Sequence, residues 1–364
     1  LPFLTVGFFE AKPVPSHFAR ARFLTLKELN DLKEGFLDVK VNVRWLLSIG
    51  IAVLVLALLI YFAGARETLE VILSMDPVWV VFSLVIYTPG WVLRGIRWKA
   101  VLHALHASIG LADSIRLTFV ANTINILVPA KLGELAKAVG AKKKYNVPLS
   151  KGLSSLFVDR LADLMAVVII AFIGFWTLRE AIALPVWVQQ LIGASLVLAL
   201  AAALGFFVFL KTTWVERVLA RLPFLRERKE RVHEILGAMK GTFGTRTSIQ
   251  LLGISLAMWA LDAASSQAIL LAAHAQVSWG LVAFAVMCGA LTKIIPLTPG
   301  GIGVYEGTIA VILALGGVPF SVALSVAVVE HALKNAYTAV GGIAFMRQLG
   351  LNIGELEHSH QKPI

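Results

Sequence analysis

Apolar residues along this chain gather in blocks long enough to cross a bilayer. "WLLSIGIAVLVLALLIYFAG" (45–64), "LMAVVIIAFIGFWTL" (164–178) and "LIGASLVLALAAALGFFVFL" (191–210) are uninterrupted by charge. A hydrocarbon core about 30 Å thick needs about 20 such residues in a helix; the middle block reaches that length by extending backwards through 153–163. The same pattern predicts spans over 77–93, 248–273 and 318–346. Two further apolar segments are broken by Pro and Gly: "ADSIRLTFVANTINILVPAKLGELAKAVG" (112–140) and "SWGLVAFAVMCGALTKIIPLTPGGIGVYEGTIAVILALGG" (278–317). Proline removes an amide and disfavours helix in the residue before it, and "PGG" readily reverses the chain. The breaks centre on Pro129 and Gly133, and on Pro299, Gly300, Gly301 and Gly303. The expected fold is an all-α polytopic membrane protein with about six spanning helices and two re-entrant helical hairpins, or eight spans if both segments are ordinary Pro-kinked pairs.

The two halves repeat each other. "NVPLSKGLSSLFVDR" (146–160) overlies "GVPFSVALSVAVVEH" (317–331) at an offset of 171 residues without a gap. Pro148 meets Pro319, Ser150 meets Ser321, Ser154 meets Ser325, Asp159 meets Glu330 and Arg160 meets His331. Upstream, Pro129 matches Pro299, Gly133 matches Gly303, and Glu134 falls one residue out of register with Glu306. Threading the spans from a cytoplasmic start puts the repeated pieces in opposite orientations, an inverted-topology repeat. Such repeats build transporter folds with sites near the midplane. The expected organisation is a cytoplasmic amphipathic lead-in over 1–44, one membrane domain over 45–347 (halves 45–178 and 186–347), and a cytoplasmic tail over 348–364.

Composition agrees: 58% of residues are hydrophobic and only 15% charged, against about 25% charged in soluble domains. The net charge of +11 raises the question of nucleic acid, but its placement argues against that partner. Nine Lys or Arg fall within 211–246, between two apolar blocks. This is the positive-inside bias, which puts that segment in the cytoplasm and points to anionic lipid headgroups. A multi-pass plasma-membrane protein with both termini cytoplasmic is expected. The single Cys288 forms no intrachain disulfide and, alone, no metal site. No G-x-x-x-x-G-K-[ST] loop or nucleophile–base pair is visible, so neither enzyme activity nor a cofactor is expected.

Charges inside the apolar spans are the candidate chemistry, because an ionisable group there costs several kcal/mol unless it faces the interior. Asp159 and Asp163 share a helix face, with Arg160 between them. Glu330 precedes Lys334 by four, the favourable orientation for a helical ion pair. Either these are structural pairs, or they line a headgroup path with gating through Glu330 and His331, set opposite Asp159 and Arg160. Lys131 and Lys293 lie near the two breaks, where helix amide ends would also favour an anion such as phosphate. Glu134 and Glu306 follow the breaks and either cap exposed amides or meet substrate or ion. Asn122 and Asn125 either line a cavity or satisfy broken backbone. Arg94, Arg97 and Trp98 in "VLRGIRWKA" read first as an interfacial anchor, with Arg97 also a candidate for headgroup contact. Asp262 has no assigned role.

Taken together, "RW" (97–98), "NTINILVPAKLGELAKA" (122–138), "DRLAD" (159–163) and "PLTPGGIGVYEG" (296–307) resemble the lysylphosphatidylglycerol synthase transmembrane region, a flippase-like family, over about 45–347. The resemblance implies translocation of a polar lipid between leaflets: a phospholipid, an aminoacyl lipid or a polyprenyl-phosphate sugar. Bifunctional bacterial members carry a soluble aminoacyltransferase domain. With the sequence ending at Ile364, a member without that domain is expected. A membrane subunit serving a separate lipid synthase or glycosyltransferase, or an intramembrane lipid-linked transferase, is the competing reading. His331 departs from the family, where Arg is usual.

Overall fold

The computed structural model describes residues 43–127, 132–178, 185–211, 245–294 and 298–349, all within one unit, Val41–Leu351. The lead-in, the basic segment over 212–244, the tail from 350, and Pro129 and Lys131 lie outside the described residues. In chain order the helices are α1 (Val43–Ala63), α2 (Ala65–Ser74), α3 (Pro77–Ala104), α4 (Leu111–Leu127), α5 (Leu132–Tyr145) and α6 (Leu149–Leu178). They continue as α7 (Val186–Lys211), α8 (Thr245–Ala272), α9 (Trp279–Thr292), α10 (Val304–Leu315) and α11 (Phe320–Leu349), with a 3-10 turn at Pro299–Gly301. Among the described residues there is no strand. The fold is an all-α membrane bundle: stretches of α1, α3, α6 and α8 are each long and apolar enough to cross a bilayer.

The long helices begin and end where local chemistry dictates. Asp76 accepts a hydrogen bond from the Val78 amide at 2.8 Å, and Pro77 occupies the first turn of α3, where its missing amide costs nothing. At the far end His106 takes a left-handed φ of 55° and the Ala107 amide bonds back to the Leu102 carbonyl at 2.8 Å. The end of α8 repeats this stop: His274 has φ 55° and the Ala275 amide bonds to the Leu270 carbonyl at 2.9 Å. Both helices therefore close with the same αL stop.

α3 runs eleven residues beyond the expected limit at 93. Arg97 and Trp98 consequently sit inside the bundle, 2% and 0% exposed, rather than at an interface as an anchor. The apolar pattern stops at Arg94, but helix propagation does not, because the polar residues that follow find buried partners.

Each interrupted segment folds into a helical hairpin. α5 packs back on α4, and α10 packs back on α9. Their arms hold 17, 14, 14 and 12 residues, or about 18–26 Å at about 1.5 Å per residue. In the first hairpin, Gly133 lies so close to α4 that a Cβ would stand 1.8 Å from the Ala121 carbonyl oxygen. In the second, Gly300 and Gly301 take φ of 63° and 82° to turn the chain, a region open to glycine at little cost. The hairpins trade partners across the molecule: α4 packs on α11 of the second half, and α9 packs on α6 of the first. The turn reaches the first hairpin, with a Cβ position on Gly300 3.9 Å from the Ile126 backbone. α3 and α8 pack against each other along their length.

The apolar core lies between α6, α8, α9, α10 and α11, built on residues such as Phe175, Ile269, Phe284, Met287, Leu313 and Leu324. A second cluster, Tyr87, Trp91 and Phe119 with Tyr337 and Phe345, joins α3, α4 and α11. α1 presents Leu46, Leu47, Val53 and Leu54 outward, as a lipid-facing helix should.

Gly133→Ala is expected to lower stability by about 1–3 kcal/mol, the usual cost of overpacking. Gly50→Ala, on open surface of α1, should be neutral or mildly stabilising. Thermal unfolding of the two variants in detergent checks this; equal midpoints would show that the hairpin does not need the close approach.

Candidate functional site

Where α3, α5, α6 and α8 meet, Arg97 organises the first of two buried polar groups. Its Nε donates to Asp159 Oδ1 at 2.9 Å, and Nη1 and Nη2 donate to the two oxygens of Asp163 at 2.5 and 3.0 Å. Nη1 also donates to Ser255 at 2.7 Å. The other oxygen of Asp159 accepts from Lys137 of α5 at 3.1 Å, and the Lys137 ammonium sits 4.2 Å from the Trp98 ring centroid. Trp259 Nε1 donates to Asp163 at 3.1 Å. The planar guanidinium fork suits two carboxylates one helical turn apart, which a lysine could not bridge so well.

Arg160 lies on the outer side of this group. It pairs with Glu134 at 2.7 Å and stands 3.6 Å from Asp163, with its side chain 48% exposed. Asn125 closes the hairpin: its Oδ1 accepts from the Gly133 amide at 2.9 Å, and its Nδ2 donates to Glu134 at 3.5 Å. Asn122 donates to the Thr118 carbonyl of its own helix at 2.9 Å. Of the two asparagines, Asn125 thus serves the broken backbone.

The second group is likewise built on one cation between two carboxylates. Lys334 of α11 contacts both Asp262 of α8 and Glu330 of its own helix, and donates to Ser266 at 3.1 Å. Glu330 Oε1 also accepts from Ser266 at 2.9 Å and from Tyr305 at 3.1 Å. His331 Nδ1 lies 2.7 Å from Glu306 Oε1, and Glu306 Oε2 accepts from the Gly303 amide at 2.7 Å. Capping, one of the two readings of Glu306, is therefore realised. Lys293, at the end of α9, stands 3.6 Å from the Tyr305 ring centroid and makes no ion pair among the described residues. Between the groups, Arg94 of α3 reaches Asp262 at 3.5 Å.

Glu134–Arg160 and Glu306–His331 are matching latches, each tying the returning arm of a hairpin to the long helix that follows. The expected Glu330–Lys334 pair is present. Glu330 and His331 do not engage Asp159 and Arg160: among the described residues each pair bonds within its own group, because each hairpin supplies a nearer partner. Residues that sequence reasoning left out are Lys137, Ser255, Trp259, Ser266 and Tyr305. Lys137 carried a readable signal, a cation three residues after Glu134 in an otherwise small-residue helix. Asp262 was noticed without a role; its partner Lys334 is 72 residues away. Among the described residues, no cluster of three His, Cys, Asp or Glu could hold a metal ion.

These features define a polytopic helical membrane protein with two packed hairpins and largely buried charged groups between its helices. The model of the lysylphosphatidylglycerol synthase TM region matches residues 45–341, and the chain belongs to that family. Among relatives, the glycosyltransferase AglD of Haloferax volcanii is 29% identical over 336 residues, covering 83% of this chain. The match takes in 54% of AglD, so the chain spans about half of that relative's length. A UPF0104 membrane protein of Methanothermobacter thermautotrophicus is 24% identical over 84% of this chain and 95% of its own length. Another, from Pyrococcus horikoshii, is 22% identical over 84% of this chain and 97% of its own.

Lys334→Met leaves Asp262 and Glu330 without their shared cation and is expected to cost about 3–5 kcal/mol. Adding Asp262→Asn and Glu330→Gln to it should recover most of that loss. Thermal unfolding of the single and triple variants reads the difference; a single variant as stable as the parent would remove the ion pairs from the account of the fold.

Proposed function

We propose that this protein moves a phosphate-bearing polar lipid between membrane leaflets, with the two hairpins as re-entrant elements of an inverted repeat. The observation that carries this reading is the contact between the turn of the second hairpin and the end of α4 in the first, with Gly300 against Ile126. Broken backbone at membrane depth is tolerated only where protein or a wet path surrounds it. Arms of about 18–26 Å fall short of a hydrocarbon crossing of about 30 Å. Hairpins entering from opposite faces would therefore meet midway. The partner exchange between halves, the repeated helix stop at His106 and His274, and the paired latches all support an inverted repeat.

Placed in this way, the buried charges have a second use. An apolar bundle gives a headgroup no route, whereas a row of ion pairs across helix interfaces can open by exchanging one partner for a lipid phosphate. Arg160, half-exposed beside Glu134, is the accessible point of the first group, and Lys293 the cation without an ion pair in the second. Asp159, Asp163, Glu330 and Lys334 then act as the partners left behind. Positive charge in "AKKKY" (141–145) and 211–246 supports a cytoplasmic placement for those ends, in the plasma membrane.

A second reading has one specific support, the similarity to part of a protein named a glycosyltransferase. Here the bundle would present a lipid-linked sugar to a separate transferase rather than carry it across.

Reconstitution in liposomes bearing leaflet-specific labelled lipids separates the two. Accelerated crossing of a phospholipid, an aminoacyl lipid or a polyprenyl-phosphate sugar is expected. Gly301→Val, which drives a branched side chain against Lys293 at φ 82°, should slow crossing about tenfold or more without loss of the folded protein. No acceleration for any of the three lipids, with sugar transfer restored by an added transferase, would favour the second reading.

A further inference from the structure

We propose that the cluster at the second hairpin turn is a subsite for one singly charged phosphodiester, and that it takes up this anion together with one proton on His331. The proposal deepens the translocation reading and rests on it for the physiological source of the anion, but not for the chemistry of the subsite.

Three polar groups here have open valences. His331 is 2% exposed, and its Nε2 is buried without a hydrogen-bond partner. Thr298, 5% exposed and just before the turn, has an unpartnered buried Oγ1. Lys293 has the Tyr305 ring, and no carboxylate, against its ammonium. Tyr305 and the turn connect the three: the Lys293 ammonium and the His331 ring both lie against Tyr305, at 3.6 and 4.5 Å between centres. The Lys293 stem packs on the turn that Thr298 opens, where a Cβ on Gly301 would come within 2.9 Å of its Cγ. Buried polar groups normally find partners, so two unmet ones, His331 Nε2 and Thr298 Oγ1, near a half-buried ammonium that makes no ion pair among the described residues mark a place for a ligand.

Charge balance identifies that ligand. The groups acting on His331 are Glu306 from α10, Lys293 from α9 and Glu330 from its own helix. Lys334, Asp262 and Arg94 stand immediately beyond. Three cations, Arg94, Lys293 and Lys334, meet three carboxylates, Asp262, Glu306 and Glu330. With a neutral imidazole the cluster is balanced. Its Nδ1 hydrogen then points to Glu306, leaving Nε2 as a bare lone pair that offers an anion nothing. Protonation puts a donor on Nε2 and adds one positive charge, and a monoanion restores the balance. Uncompensated charge is costly in a desolvated site, so proton and anion stabilise each other's entry. A phosphodiester carries one fixed charge near neutral pH, so the proton taken up belongs to the protein. At the corresponding position in the first half, Arg160 is permanently charged and needs no such step.

The test is titration calorimetry of the purified full chain in detergent, in buffers of different ionisation enthalpy, from mildly acidic to mildly alkaline pH. The probes are dihexanoyl phosphatidylglycerol, dimethyl phosphate and, as the phosphate-free control, dihexanoylglycerol. Both phosphodiesters should bind with uptake of about one proton at the alkaline end, where affinity falls about tenfold per pH unit; the control should not bind. His331→Arg should bind with no proton uptake and a flat pH profile. Lys293→Gln takes one cation from the balanced cluster and lets His331 hold its proton before the anion arrives, so it should bind about tenfold more weakly and with less proton uptake, which holds the test open if His331→Arg does not fold. Tighter binding of the lipid probe assigns the subsite to a lipid headgroup; equal affinities assign it to a free phosphodiester. Binding without proton uptake, binding unchanged by Lys293→Gln, or no binding overturns the proposal. If lipid still crosses liposomes in those cases, the translocation reading survives alone. If proton-linked binding occurs and no lipid crosses, the subsite stands and that reading falls.

Discussion

Everything in this bundle depends on charge being neutralised by contact between helices rather than by water. A carboxylate or ammonium taken into a low-dielectric interior carries a desolvation cost of several kcal/mol. Here that cost is offset by partners from other elements: Arg97 of α3 with two aspartates of α6, Lys137 of α5 with one of them, and Lys334 of α11 with Asp262 of α8. Each such contact requires two helices to be in register. The charges therefore act as positional constraints on a bundle whose apolar faces alone would tolerate sliding, since lipid tails are as apolar as leucine and give no strong drive to associate.

The hairpins obey the same logic applied to backbone. A break in a helix frees amides and carbonyls that lipid cannot satisfy. Asn125 answers one at Gly133, and Glu306 answers another at Gly303. Both capping side chains belong to the polar groups, directly or through one neighbour, since Asn125 touches Glu134 and Glu306 touches His331. Closing the backbone and balancing the charges are therefore a single arrangement. Each hairpin turn is thereby joined by hydrogen bonds to a neighbouring ion pair.

The two polar groups share this design but draw their partners differently. Asp159 and Asp163 take their cation from a neighbouring helix, whereas Lys334 takes one carboxylate from α8 and another from its own helix. Arg94 and Asp262, at equivalent places on α3 and α8, even pair with each other. Each group sets carboxylates against cations, yet they are chemically different: one latch contains an arginine, the other a histidine.

Much of this could be read from the residues. Length and apolarity are local properties, so the all-α membrane class, the long helices and the interrupted segments were legible at "LVPAKLGELAKA" and "LTPGGIGVYEG". The likeness of the stretches around Pro148 and Pro319 was legible because matching prolines, serines and acids, Asp159 with Glu330, are hard to obtain by accident. Partners were not legible. Sequence spacing places Glu330 four residues before Lys334, but it cannot show that Asp262 competes for the same ammonium, or that Arg97 leaves the interface to join Asp159. Glu134 was expected near a break, yet only packing of α5 on α6 gives it Arg160. Local sequence determines what each segment is, through hydropathy, caps and turns. Which charges meet is decided by helices crossing in three dimensions, because neutralisation in a low-dielectric interior depends on distance through space and not along the chain.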